Sequence, residues 1–197
     1  MVKAMMRIFG LSILLIALIG VSATAAPRDY LLDHDASRVG FAVPFGPDTI
    51  TGEIPVAQSE ISLDFRAPNN SRIVVVLDVS GARANFPFAT QALRGPKVLA
   101  AEAHPTISFQ SRDIEVASND ASRASLMGDI TIRGVTRPVM FDVGMFRPAG
   151  QAQGERSRLI VRLNGEVSRA AFGADGWSDL VGDAVLLDLE LFIDARG

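Results

Sequence analysis

The stretch Gly128-Asp129-Ile130-Thr131-Ile132-Arg133-Gly134-Val135-Thr136-Arg137-Pro138-Val139-Met140-Phe141-Asp142-Val143 decides the fold. Ile130 and Ile132 alternate with Asp129, Thr131 and Arg133, the period-two pattern of a strand with one apolar face. Gly134 permits positive φ and Pro138 cannot donate to a ladder, so Arg133 to Pro138 reads as the connection of a hairpin whose second strand begins near Val139. Arg133 and Arg137 in that connection read as a solvated turn.

The same alternation recurs on both sides. Val39, Phe41 and Val43, then Ile61, Leu63 and Phe65, then Ile107 and Phe109 each line one face of a half-buried strand. Leu159, Val161 and Leu163 do so again, followed by the long run Val185, Leu187, Leu189, Leu191 and Ile193. Eight to ten strands and few helical signals predict an all-β domain, with one antiparallel sheet curled into a barrel that leaves no exposed edge. The helical exceptions are short: Phe88 to Arg94, where Phe88, Ala89, Ala92 and Leu93 share a face, and a turn over Arg169 to Phe172.

Length and composition fit one domain. The chain has 197 residues, of which 48% are apolar, with no low-complexity run. Residues 1–26 read as a signal peptide: Lys3 and Arg7 precede an apolar stretch from Ile8 to Val21 and a small-residue site at Ala23-Thr24-Ala25, with cleavage near Ala25 or Ala26. An uncleaved anchor is the alternative. Export leaves a mature domain of residues 27–197 and predicts a periplasmic location. Loss of Lys3 and Arg7 makes the net charge more negative than the −3 of the full chain, which speaks against nucleic acid as a partner. The chain has no Cys, so disulfides, thiolate nucleophiles and zinc–thiolate sites are excluded, and stability has to come from packing.

The Gly128–Val143 segment resembles the hairpin signature of the YceI-like family, in which an apolar strand, a Gly-Val-Thr-Arg/Lys-Pro turn and a returning strand follow one another. Other parts of the resemblance stand in order around it: Tyr30-Leu31-Leu32-Asp33 with Ser37, His104-Pro105-Thr106-Ile107-Ser108-Phe109, and Arg169-Ala170-Ala171-Phe172-Gly173 before Val181-Gly182-Asp183. The resemblance implies a lipocalin-like barrel of about eight strands whose bore holds a polyisoprenoid, an isoprenoid quinone or a similar long-chain amphiphile, with no catalysis, cofactor or metal. A long apolar ligand is the expected partner, with transient membrane contact and a homodimer as further expectations. The family pattern is broken in three places: Ala36 stands where a His is usual, Phe45 replaces a second His, and Ala89-Thr90-Gln91-Ala92-Leu93 replaces an Arg-Asp-x-His-Leu segment. These losses predict a ligand with a less polar end.

An oily tunnel needs aromatic and branched side chains beyond those that fill a core. The candidates are Phe41, Phe45, Phe86, Phe88, Leu93, Phe109, Phe141, Phe172 and Trp177. Phe86 and Phe88 flank Pro87 ahead of the short helix, where a barrel mouth would lie. Phe45 follows Pro44 at a strand end, and Trp177 sits among Gly173, Gly176 and Gly182. A strand Phe is more often ordinary core, and the pattern alone does not say which face points into the bore. Asp33-His34-Asp35 reads as a polar turn whose carboxylates satisfy nearby amides rather than as a catalytic cluster, and His104 before Pro105 reads as a loop end. Two functions therefore compete: a carrier or storage protein for an isoprenoid-like lipid, and a stress-protective or interaction module whose barrel is filled by its own side chains. Electrons in any quinone-linked redox role would travel on the ligand.

Overall fold

The computed structural model describes residues 26–196, so the signal-peptide reading falls almost wholly outside the described residues. Eleven strands run β1 (Arg28–Leu32), β2 (Arg38–Phe45), β3 (Asp48–Glu53), β4 (Val56–Leu63), β5 (Arg72–Asp78), β6 (Arg83–Ala84), β7 (Thr106–Val116), β8 (Arg123–Ile132), β9 (Val135–Phe146), β10 (Arg158–Ser168) and β11 (Ala184–Ala195). One α-helix, α1 (Pro87–Arg94), falls where the apolar face over Phe88 to Leu93 predicts it, and the turn near Arg169 is a short 3-10 helix over Ala170–Phe172. Every strand pairing is antiparallel. β1, β4, β5, β7, β8, β9, β10 and β11 form a ring of eight, closed by the contact of β11 with β1.

Closure depends on how β11 divides its free edge. Residues Ile193–Ala195 pair with β1, whereas Leu186–Glu190 pair with β2, so two consecutive strands lie end to end along one neighbour. The turn between them spans the gap: the Asp33 amide donates to the Phe192 carbonyl at 2.8 Å, and the Phe192 amide donates to the Ser37 hydroxyl at 2.9 Å. Asp33 shapes this turn by accepting from the Ala36 amide at 3.1 Å, and it pairs with Arg158 of β10 at 2.6 Å. The polar-turn reading of Asp33 is thus met, in a turn that also aligns the barrel seam.

Beyond the turn the two strand pairs diverge. β1 continues to β4 and closes the ring, while β2 pairs with β3, which reaches β6 through only two residue pairs. One end of the barrel is therefore tight and the other splayed. α1 lies across the splayed end. Pro87 opens it at a position where a missing amide costs no bond, and Thr90 and Arg94 tie it to Ala84 and Ala82 beneath. At the tight end Tyr30, Leu32, Ile61, Leu63, Leu159 and Ile193 form a buried cluster that stoppers the bore.

Two sequence readings need correction. The hairpin connection is only Arg133-Gly134, with φ of +51° and +76°, the two positive values that a two-residue type I′ turn requires. Val135 to Pro138 already belong to β9. Counting from the closing pair Ile132–Val135, Pro138 opposite Asp129 falls on a non-hydrogen-bonded position, and the β9–β10 ladder begins only at Phe141, so the absent proline donor costs nothing. Nor is Arg133 solvated, because its Nη1 donates to the carbonyls of Pro96 and Val98 at 2.8 and 2.7 Å and anchors the segment after α1.

The Ala36 amide first, and then the Arg158 guanidinium, hold the Asp33 carboxyl below the usual carboxylate range. Its folded value is depressed, so its stabilisation is present above about pH 4 and lost as the pH falls through that folded value. Asp33→Ala should therefore lower the urea midpoint at neutral pH, and the gap to wild type should narrow as the pH is taken below about 4. Equal midpoints at neutral pH would show that the seam holds without this side chain.

Candidate functional site

Above the stopper the bore is hollow. A cavity of about 800 Å³ runs from Leu32, on the stopper, to the splayed end, and its lining side chains are apolar or glycine apart from Asp48 and Arg169. Its walls come from the inward residues of the alternating strands: Val39, Phe41 and Val43 of β2, Ile107 and Phe109 of β7, Ile130 and Ile132 of β8, and Val185, Leu187, Leu189 and Leu191 of β11. Ala89, Ala92 and Leu93 of α1 cover part of the mouth.

An interior of this size is unusual, because protein cores pack to the density of organic crystals. Glycines on neighbouring strands keep it open. The rings of Phe41, Phe109 and Phe141 lie against Gly52, Gly128 and Gly165, where a β-carbon would run into each ring. At Gly165 the clash would be 2.7 Å from Cδ1 of Phe141. With no side chain beneath them, the rings lie back on the wall. Phe109 and Phe141 also meet edge to face, with centroids 5.6 Å apart.

The mouth is framed by α1, the β2–β3 hairpin and the loop 173–182. Arg169 holds that loop. Buried at 8% exposure, it donates from Nε to the Gly182 carbonyl, from Nη1 to Ala174 and Gly176, and from Nη2 to Val181, so a cation is spent on four main-chain oxygens. Asp183 caps the preceding 3-10 helix by accepting from the Ala170 amide, and hydrogen bonds from Ser168 and then Ala170 hold its carboxyl below the ordinary range. Within the loop Trp177 adopts φ of +56°, a conformation that a bulky residue keeps only where its surroundings impose it. Its ring packs under Lys97, 5.7 Å from the ammonium nitrogen.

All the aromatic candidates and Leu93 lie on this one cavity. Phe41, Phe109 and Phe141 form the wall, Phe172 is buried beneath the mouth, and Phe45, Phe86, Phe88 and Trp177 surround the opening. Of the positions that depart from the family pattern, Phe45, Ala89 and Ala92 line the cavity, whereas Thr90 does not and Ala36 is exposed in the seam turn. Sequence reading missed the aliphatic wall of β11, Leu180 at the rim, the three glycine seats and Arg169. The period-two runs already contained the β11 wall, since Val185, Leu187, Leu189 and Leu191 share one parity. Phe65, Phe146 and Phe192 look no different in sequence but lie off the cavity, each with an arginine over its ring: Arg156, Arg162 and Arg158 at 4.0, 5.3 and 5.7 Å. Among the described residues, no group of three or more His, Asp or Glu side chains is placed to hold a metal ion.

The YceI-like domain matches residues 30–193. The chain belongs to the YceI-like family. Among curated relatives, a UPF0312 protein of Ectopseudomonas mendocina is 29% identical over 127 residues, covering 63% of this chain and 64% of that protein. A UPF0312 protein of Vibrio campbellii is 25% identical over 175 residues, covering 86% and 88%. Solved structures share the fold: BcnA of Burkholderia cenocepacia, at 17% identity, has a TM-score of 0.71 over 82% of this chain and 99% of its own. A polyisoprenoid-binding domain from Saccharophagus degradans, at 13% identity, has a TM-score of 0.61 over 86% and 99%.

Two substitutions test the geometry. Gly165→Ala should push the Phe141 ring into the bore, cost about 1–3 kcal/mol by urea unfolding and reduce the capacity for an apolar fluorescent probe. Unchanged capacity would show that the glycine seats do not set the hollow. Arg169→Met strands buried carbonyls and should destabilise by about 3 kcal/mol, with hydrogen exchange rising across 174–182 before the strands. Uniform exchange would assign Arg169 to global stability alone.

Proposed function

We propose that this protein is a non-enzymatic periplasmic carrier or store for a long apolar lipid, a polyisoprenoid or an isoprenoid quinone, held in the barrel. The observation that carries this reading is the blind apolar hollow of about 800 Å³. A guest there gains ~0.8 kcal/mol for each methylene removed from water, enough for a long chain to offset the entropy of being held with almost no polar contacts. At ~30 Å³ per water-sized group in a liquid, the hollow takes about 25 such groups, roughly five isoprene units. A longer chain extends to the mouth.

The polyisoprenoid-binding domain of S. degradans, which has the same fold, supports this ligand class. The losses at Phe45, Ala89 and Ala92 favour a weakly polar end, because the residues now standing there line the cavity with hydrocarbon. The competing reading, a protective or interaction module, requires a barrel filled by its own side chains, and the hollow favours the carrier.

Native mass spectrometry of gently purified protein, followed by solvent extraction, tests the proposal. A near-stoichiometric apolar lipid is the expected result, and an absorption spectrum of the extract separates a quinone from a plain polyisoprenoid. Leu189→Trp, which puts an indole into open space, should keep the fold and lose most of the lipid. A wild-type protein that is empty and also takes up no added isoprenoid would overturn the proposal.

A further inference from the structure

We propose that the mouth of the barrel docks on a lipid bilayer, with Phe86, Phe88, Trp177 and Leu180 entering the interfacial layer so that the cavity opens directly onto hydrocarbon. This inference rests on the lipid-carrier reading and names the surface with which the carrier exchanges.

The four side chains are 48%, 74%, 41% and 58% exposed, and each also lines the cavity, so the rim is a continuation of the bore onto the surface. They come from two separate segments, the start of α1 and the loop clamped by Arg169, and they stand where the ring of strands is splayed. Elsewhere on the barrel Phe65, Phe146 and Phe192 lie beneath arginines, whereas among the described residues no cation covers Phe86 or Phe88. Exposed aromatic and leucine side chains around an apolar opening suit the boundary between headgroups and acyl chains, where Trp and Phe partition favourably. Trp177 has the amphipathic arrangement of an interfacial anchor, with its ring in the rim and the Lys97 ammonium over one face of that ring.

The charges on these segments identify the kind of surface. Asp48, Asp175 and Asp179 are exposed on the hairpin and loop that frame the mouth, against Lys97 and the half-buried Arg94 of α1. A net acidic rim gains nothing from an anionic leaflet. Docking is therefore driven by insertion, and zwitterionic membrane should serve at least as well as anionic membrane, with little loss in salt. A mouth-to-mouth second copy is the other occupant that the rim could accept, but it would bring the acidic groups of two copies together and seal the opening.

The test is co-sedimentation of the purified protein with large phosphatidylcholine vesicles, alone and with one-fifth phosphatidylglycerol, at low and high salt. Trp177, the only Trp of the chain, reports by its own fluorescence. The expected result is partition to both vesicle types that persists in salt, with a blue shift of the Trp emission. Phe88→Asp and Leu180→Asp, both at exposed sites, should keep the circular dichroism of the fold and weaken partition at least fivefold each. Wild type that stays in the supernatant, partition that the two variants leave unchanged, or binding only to anionic vesicles at low salt would each overturn the proposal. A dimer in sedimentation velocity that Phe88→Asp dissociates, without vesicle binding, would assign the rim to self-association and also overturn it. Protein that carries extractable lipid yet ignores vesicles refutes the docking and leaves the carrier reading standing; protein that binds vesicles while remaining empty refutes the carrier reading alone.

Discussion

The divided edge of β11 is the constraint on which the molecule depends. A twelve-residue strand offers its partner side to two short strands in succession, and the turn 33–37 bridges the interval with a backbone bond and a Ser37 bond. Sheet edges cannot be left open without inviting association, so the barrel has to close. Because β11 gives only Ile193–Ala195 to the closing strand, closure is complete at one end only. The other end is finished by β2, β3 and a helix, and that difference creates a stopper below and a mouth above.

A hollow in a folded chain needs a physical reason, since side chains ordinarily collapse into any space large enough to admit them. Here the backbone supplies it. Glycine at 52, 128 and 165 removes the side chains on which the rings of Phe41, Phe109 and Phe141 would otherwise stand, and the strand ladders hold the wall at a fixed radius. The mouth is held open by the same economy of means: Arg133 and Arg169 each spend a guanidinium on main-chain carbonyls of a rim segment. Neither arginine needs a carboxylate for this, and the lining stays almost free of charge.

Much of this was legible in the residues. The alternation over β2, β4, β7, β8, β10 and β11 is a local property, fixed by the pleat, and it exposes both the fold class and the set of residues that share a face. β5 hides because Ile73 to Leu77 is continuously apolar, its two faces both being partly covered, so no period shows. The width of the β8–β9 turn depended on which hydrogen-bonding position Pro138 takes, which is a matter of register rather than composition. The aromatic candidates were legible as residue types, and Phe86, Phe88 and Trp177 also from their Pro and Gly neighbours. What sequence could not supply was long-range: that Gly165 lies under Phe141, that Arg169 reaches Gly182, and that Phe65 and Phe192 turn away from the space that Phe109 and Phe141 enclose.

The stopper of Tyr30, Ile61, Leu63, Leu159 and Ile193 has a directional consequence. A tube sealed at its foot is a pocket and not a conduit: whatever goes in has to back out by the route it entered, end for end. Such a vessel cannot pass a molecule from one side to the other while standing still. Under the proposed carrier role, delivery would require the whole body to leave, tumble and present the same opening to its next station.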